Sequence, residues 1–193
     1  MKKGNGLKTV LLVLFGGMLV VGIFYRLSNK PIITSEEENV GKPSAIEVVL
    51  QRNLTADYPK SPKEVVKYFS EITQCYYNEP FEEDDENLVK LADRMLLLYD
   101  DELVASKSYE DYLWDLRSDI RFYNTNGYTI SSFSPSQSTD VDYYTEDGSE
   151  WARLYCVYTI KSGKYYDHIN EVFVLRKDEN SHWRIYGWEE VDG

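Results

Sequence analysis

Histidine and cysteine are almost missing from this chain: His168, His182, Cys75 and Cys156 are all it has in 193 residues. Neither histidine stands near a cysteine or the other histidine at ligand spacing, so no metal site is assigned. No G-x-S-x-G and no glycine-rich phosphate loop occurs, which excludes the usual hydrolase elbow and the nucleotide-binding loop. "DVDYYTEDG" (140–148) has the acids of a calcium loop without its glycine. Its sixth position is Thr145 or Asp147, depending on the starting acid, so it reads as a hairpin turn. No catalytic residue and no cofactor is assigned from the sequence.

Positive charge is scarce too, and unevenly spread. Residues 1–30 hold five of the 21 Lys/Arg and none of the 33 Asp/Glu. The rest of the chain therefore carries 16 bases against 33 acids, a charge of −17. A domain that acidic repels phosphate backbones and anionic lipid surfaces, which excludes nucleic acid as a partner. The runs "EEE" (36–38) and "EEDDE" (82–86) read as solvated linker or helix start.

What is present at the front is an uncharged run, "TVLLVLFGGMLVVGIFY" (9–25), behind a basic tail at 1–8. Seventeen residues rise roughly 25 Å as a helix. With Leu7, Leu27 and snorkelling Lys8 and Arg26, that nearly matches a bilayer core of about 30 Å. The residues after the run do not offer the small −3 and −1 pair of a cleavage site, so 9–27 is expected to be a retained anchor. Lys2, Lys3 and Lys8 precede it and Arg26 and Lys30 follow. The positive-inside rule then predicts a single-pass protein of the cytoplasmic membrane, N-terminus inside and C-terminal domain outside.

Residues 28–57 mix Pro, Gly, Ser and Glu and read as a tether, with a short helix near 45–53 announced by the Ser44/Glu47 capping-box spacing. The domain proper, 58–193, opens with helices. Ser61, Pro62 and Glu64 mark the first, along which Val65, Phe69, Ile72 and Tyr76 recur at helical spacing. Leu88, Leu91, Met95 and Leu98 mark a second. A third runs from Ser108 to the left-handed stop expected at Gly127. From Tyr128 the period changes to two, over 128–136, 141–145, 151–161, 164–177 and 182–191, with Ser162-Gly163 as a tight hairpin. Helices first and strands afterwards predict an α+β fold, three helices packed on a curved antiparallel sheet.

The stretches "SPKEVVKYFSEI", "CYYNEPF", "LYDDELVA", "TISSFS", "RLYCVYTI", "FVLRKDE" and "WRIYGWE" carry a resemblance. Together with the order of elements, they resemble the nuclear transport factor 2-like, cone-shaped α+β superfamily. More narrowly, the chain resembles an uncharacterised family of single-pass membrane proteins of Gram-positive anaerobic bacteria. The resemblance implies a cone, but no one activity, since that superfamily includes enzymes, transport adaptors and secretion subunits.

The function expected is a protein-interaction or dimerisation module of the cell envelope. Alternation along the last strand, "HWRIYGWEEV", sends Trp183 and Ile185 to one face and Tyr186 and Trp188 to the other. Neither row of the two long strands is clean, so both sheet faces are expected to be covered, with Tyr155, Val157, Val172 and Val174 as the interaction surface for a second copy or an envelope protein. The alternatives are a small-molecule or glycan pocket in the cone around His168, Tyr158 and Asp142, and a subunit of a conjugation or secretion-type assembly. Cys75 and Cys156 sit in apolar periodic stretches and read first as buried thiols, with a disulfide as the other reading.

Overall fold

The computed structural model describes residues 43–82 and 85–192. The basic tail, the expected anchor 9–27 and the front of the tether lie outside the described residues. Among the described residues, no helix is long and apolar enough to cross a membrane.

The helices follow their local signals. Helix α1 (Ala45–Gln51) begins at Ser44, where both halves of the capping box form. Helix α2 (Pro62–Asn78) begins at Ser61, whose hydroxyl accepts from Glu64 N at 3.2 Å, with Pro62 in the first turn where its missing N–H costs nothing. Helix α3 (Glu86–Leu96) and the one-turn α4 (Asp101–Ala105) are capped by Asp85 and Asp100. Helix α5 (Tyr109–Asn126) starts at Ser108 and stops at Gly127, in the left-handed region at φ 63. That conformation costs glycine nothing, and the chain turns straight into the sheet at Tyr128.

The sheet has five antiparallel strands: β1 (Tyr128–Pro135), β2 (Asp142–Glu146), β3 (Ser149–Ser162), β4 (Tyr165–Lys177) and β5 (Trp183–Val191). Strands β3, β4 and β5 are neighbours in that order, while β1 and β2 share the far side of β3. The β3–β4 hairpin closes on the pair Ser162↔Tyr165 around Gly163 at φ 59. This α+β architecture, helices on a curved antiparallel sheet, is the fold class expected from the sequence.

One face of the sheet is the core. Ala152, Leu154, Cys156, Tyr158 and Ile160 of β3 are all buried, as are Ile169, Phe173 and Leu175 of β4. Helix α2 lies on them, with α3 packed against α2 and α5 against α2 and β1. Phe69 reaches Phe173 and Trp188 at ring distances of 5.2 and 5.1 Å. The strict alternation expected for β5 breaks here. Leu175 pairs with Ile185 but Val174 pairs with Gly187, so a bulge inserts one residue and returns Trp188 to the same face as Ile185. Trp188 therefore packs, partly buried, against the core, while Tyr186 turns to the outer face and meets Trp151 at 5.1 Å.

Candidate functional site

The sequence grouped His168, Tyr158 and Asp142 in one pocket. The structure does not bring them together. Tyr158 is in the core, where its hydroxyl lies 2.6 Å from Ser70 Oγ. His168 pairs with Thr159 on β3, a residue of the opposite face, and is exposed; its Nδ1 lies 3.3 Å from Thr159 Oγ1. Asp142 is exposed on β2 and forms a 3.0 Å ion pair with Arg153. A pair that open to water contributes little. Among the described residues, no three His, Cys, Asp or Glu side chains converge on a metal position.

What the interior does hold is a polar thread that the sequence grouping missed. Ser70 on α2 donates to the Val66 carbonyl at 2.8 Å, so the proton in the Ser70–Tyr158 contact comes from Tyr158. Cys156 Sγ lies 3.8 Å from the same Ser70 oxygen. Beside Cys156, directly across the β3–β4 ladder, stands Glu171, only 2% exposed. Across β4–β5 its direct partner is Glu190. Burial, and then repulsion from Glu190, push the Glu171 carboxyl up to about 8, so it is protonated at neutral pH. Its Oε2 has no hydrogen-bond partner among the described residues, and neither has the hydroxyl of Tyr123 on α5. Tyr123 stacks on Tyr77 of α2 with ring centroids 3.8 Å apart. Further along α5, burial and the neighbouring Asp115 raise Asp119 to about 7, against the pull of Lys107.

A neutral carboxylic acid beside a phenol can donate a hydrogen bond or a proton to a small polar molecule. Phe69, Leu91 and Leu154 are buried in the same core cluster. The signal for Glu171 was in the sequence, an acid set in the inward row Ile169, Phe173, Leu175. Both cysteines are free and buried, and burial raises each thiol to about 11.

The outer face is the second candidate. The β3–β4 register sets Tyr155 opposite Val172, Arg153 opposite Val174 and Val157 opposite Asn170, so Tyr155, Val157, Val172 and Val174 do share one face. Val172 is 7% exposed and lies outside the core cluster, while Tyr155 above it stays 44% exposed. Toward the β2 end the face continues through Trp151, which stacks with Tyr144 at 6.2 Å. The Arg176 guanidinium rides between the rings of Trp151 and Tyr186, 5.5 and 5.2 Å from their centroids.

A family described as "Domain of unknown function (DUF6715)" matches this chain over residues 1–188. No curated protein matches it.

Proposed function

The chain belongs to that family, whose description assigns no activity, and from this premise we propose that it is a protein-interaction module of the cell envelope. The apolar run 9–27 would hold it to the cytoplasmic membrane, with the acidic domain on the outer side. The observation that carries this reading is the outer sheet face. Tyr155, Val157, Val172 and Val174 form an apolar patch, and beyond Arg153 the same face carries Trp151, Tyr144 and Arg176. Tyrosine, tryptophan and arginine on one surface are the composition that dominates binding energy at protein interfaces. Helices on one side of a curved sheet also support the nuclear transport factor 2-like cone as its fold family.

The test is site-directed photocrosslinking of the full chain in its own membrane, with the photoreactive group at position 155. A crosslinked band, a second copy or a distinct protein, that disappears with Val157→Asp supports the module. No crosslink at 155, with efficient labelling elsewhere on the domain, sinks it.

One observation favours a second reading, a small ligand held in the cone. Among the described residues, Glu171 Oε2 and Tyr123 Oη are buried without a protein partner, and such groups cost stability unless water or a ligand meets them. Native mass spectrometry of the full chain released from detergent would show a reproducible small added mass, lost in Glu171→Gln, if this reading holds. A bare protein mass throughout would leave the interior as scaffold.

A further inference from the structure

Away from the outer sheet face and the polar interior, a groove of about 510 Å³ opens between the start of α3 and the C-terminal half of α5. Phe81, Leu88 and Ile120 give it an apolar floor, and Arg117, Arg121 and Asn124 stand along the α5 wall. Arg117 and Arg121 are one helical turn apart, so both guanidinium groups reach the same hollow. The other arginines among the described residues all have an acceptor. Arg52 pairs with Asp57, Arg94 donates to the Arg52 carbonyl, and Arg153, Arg176 and Arg184 pair with Asp142, Asp100 and Asp178. Among the described residues, Arg117 and Arg121 have no ion pair, and the buried Nε–H of Arg117 meets no acceptor.

In a chain with 33 acids to 21 bases, two arginines without a carboxylate partner among the described residues need a reason. The helix dipole does not supply one for Arg117. Its favourable effect on cations is confined to the last turn, and Arg117 lies two turns before α5 ends at Asn126. A buried guanidinium N–H with no acceptor is costly, and an anion seated in the groove would satisfy it.

We propose that this groove binds a small organic anion, its carboxylate or phosphate head held by Arg117 and Arg121 and its apolar body lying on Phe81, Leu88 and Ile120. Guanidinium groups suit either head through paired N–H donors, and Asn124 adds a neutral donor at the rim. The site is independent of the outer face, so it stands or falls separately from the interaction reading. Its internal competitor is Glu82, which lines the same groove.

The experiment is isothermal titration calorimetry on the full chain in discs of neutral phosphatidylcholine, with empty discs as reference. The probes are phenyl phosphate and hexanoate, beside their uncharged counterparts phenol and hexanol. Saturable binding of at least one anion is expected, with no comparable binding of its neutral counterpart. Arg121→Gln, an exposed position that should leave the fold intact by circular dichroism, should weaken that binding about tenfold or more, the loss of a charge-assisted hydrogen bond. Three results overturn the proposal: no saturable heat from either anion, equal binding of the neutral counterparts, or binding that emerges only in Glu82→Gln. The last would mean that the chain's own acid already holds the arginines.

Discussion

Arg176 grips the buried carboxylate of Asp100 with two N–H groups, Nε to Oδ2 at 2.9 Å and Nη2 to Oδ1 at 2.5 Å. The same carboxylate caps α4 by accepting from Glu102 N at 3.0 Å. Asp100→Ala removes the cap and leaves a half-buried guanidinium without its main partner. Its cost should be about 3 kcal/mol, the low end for breaking a buried pair because Arg176 keeps some contact with water. Urea denaturation would show this as a lower midpoint with unchanged slope. A loss below about 0.5 kcal/mol would mean the pair is as weak as a surface one.

Glu171 makes stability depend on pH with a definite sign. Its folded pKa of about 8 lies above the ordinary 4.5, so the folded state binds the proton more tightly than the unfolded chain. The stabilisation is complete below about pH 4.5 and disappears as pH rises through about 8, at a slope approaching 1.4 kcal/mol per pH unit between the two values. The titratable groups interacting with Glu171 include Cys156, Tyr158, Tyr77, Tyr99, Tyr123 and Glu190, and the thiol and phenols all titrate above this window. Asp119, raised to about 7, acts in the same direction. Unfolding free energies measured from pH 5 to pH 9 should fall for the wild type and fall less steeply for Glu171→Gln. Parallel curves would remove Glu171 as the cause.

The Ser70–Tyr158 contact should be asymmetric. Tyr158→Phe removes a donor and leaves Ser70 still bonded to Val66, costing about 1 kcal/mol. Ser70→Ala strands a fully buried phenol and should cost more, up to about 3 kcal/mol. The double variant should be no worse than Ser70→Ala alone, which chemical denaturation of all three proteins would show.

On the outer face, placing charge separates surface from support. Tyr155→Asp should abolish association while leaving the unfolding midpoint within the range of an ordinary surface change, about 0.5 kcal/mol. Val172→Asp buries a carboxylate beneath it and should destabilise by several times that. Equal destabilisation by both would make the whole row core and end its use as a docking surface.

The two thiols should be silent in the native protein. Buried and raised to about 11, Cys75 and Cys156 should react with a thiol reagent at pH 8 only as fast as the protein opens, and both should react at once in denaturant. Absence of free thiol in denaturant would reveal an oxidised pair.

Much of the fold was legible because its signals are local. Ser61 with Pro62 and Glu64, Ser108 with Asp111, and Gly127 each announce an end that the backbone then adopts. The common face of Tyr155, Val157, Val172 and Val174 follows from alternation within each strand plus one hairpin. The same rule should have separated His168 from Tyr158: any two-residue loop at Gly163 puts His168 on the face of the odd-numbered β3 residues. Trp188 was illegible for another reason, since a bulge is set by how two strands settle against the core. Glu171 could be seen as an acid in an apolar row, but its loneliness could not, because that depends on Cys156, Glu190 and Tyr123 arriving from three other elements. The Arg117–Arg121 groove was also out of reach. An arginine without a partner is visible only when all the others have been paired in space.

Two edges of this sheet are sealed, in different ways. On β1, Asn78 of α2 imitates a neighbouring strand, accepting from Ile130 N at 2.8 Å and donating to Ile130 O at 2.9 Å. On β5, Ile185 exchanges backbone hydrogen bonds with Leu98 and Asp100, both at 2.8 Å, so residues 98–100 serve as a scrap of extra strand. Among the described residues, strand β2 has neither guard, and every one of its five residues is exposed. Should this sheet ever add a foreign strand, by a partner's design or by misfolding, it has a polarity: growth begins at Asp142–Glu146 and nowhere along β5's sealed end.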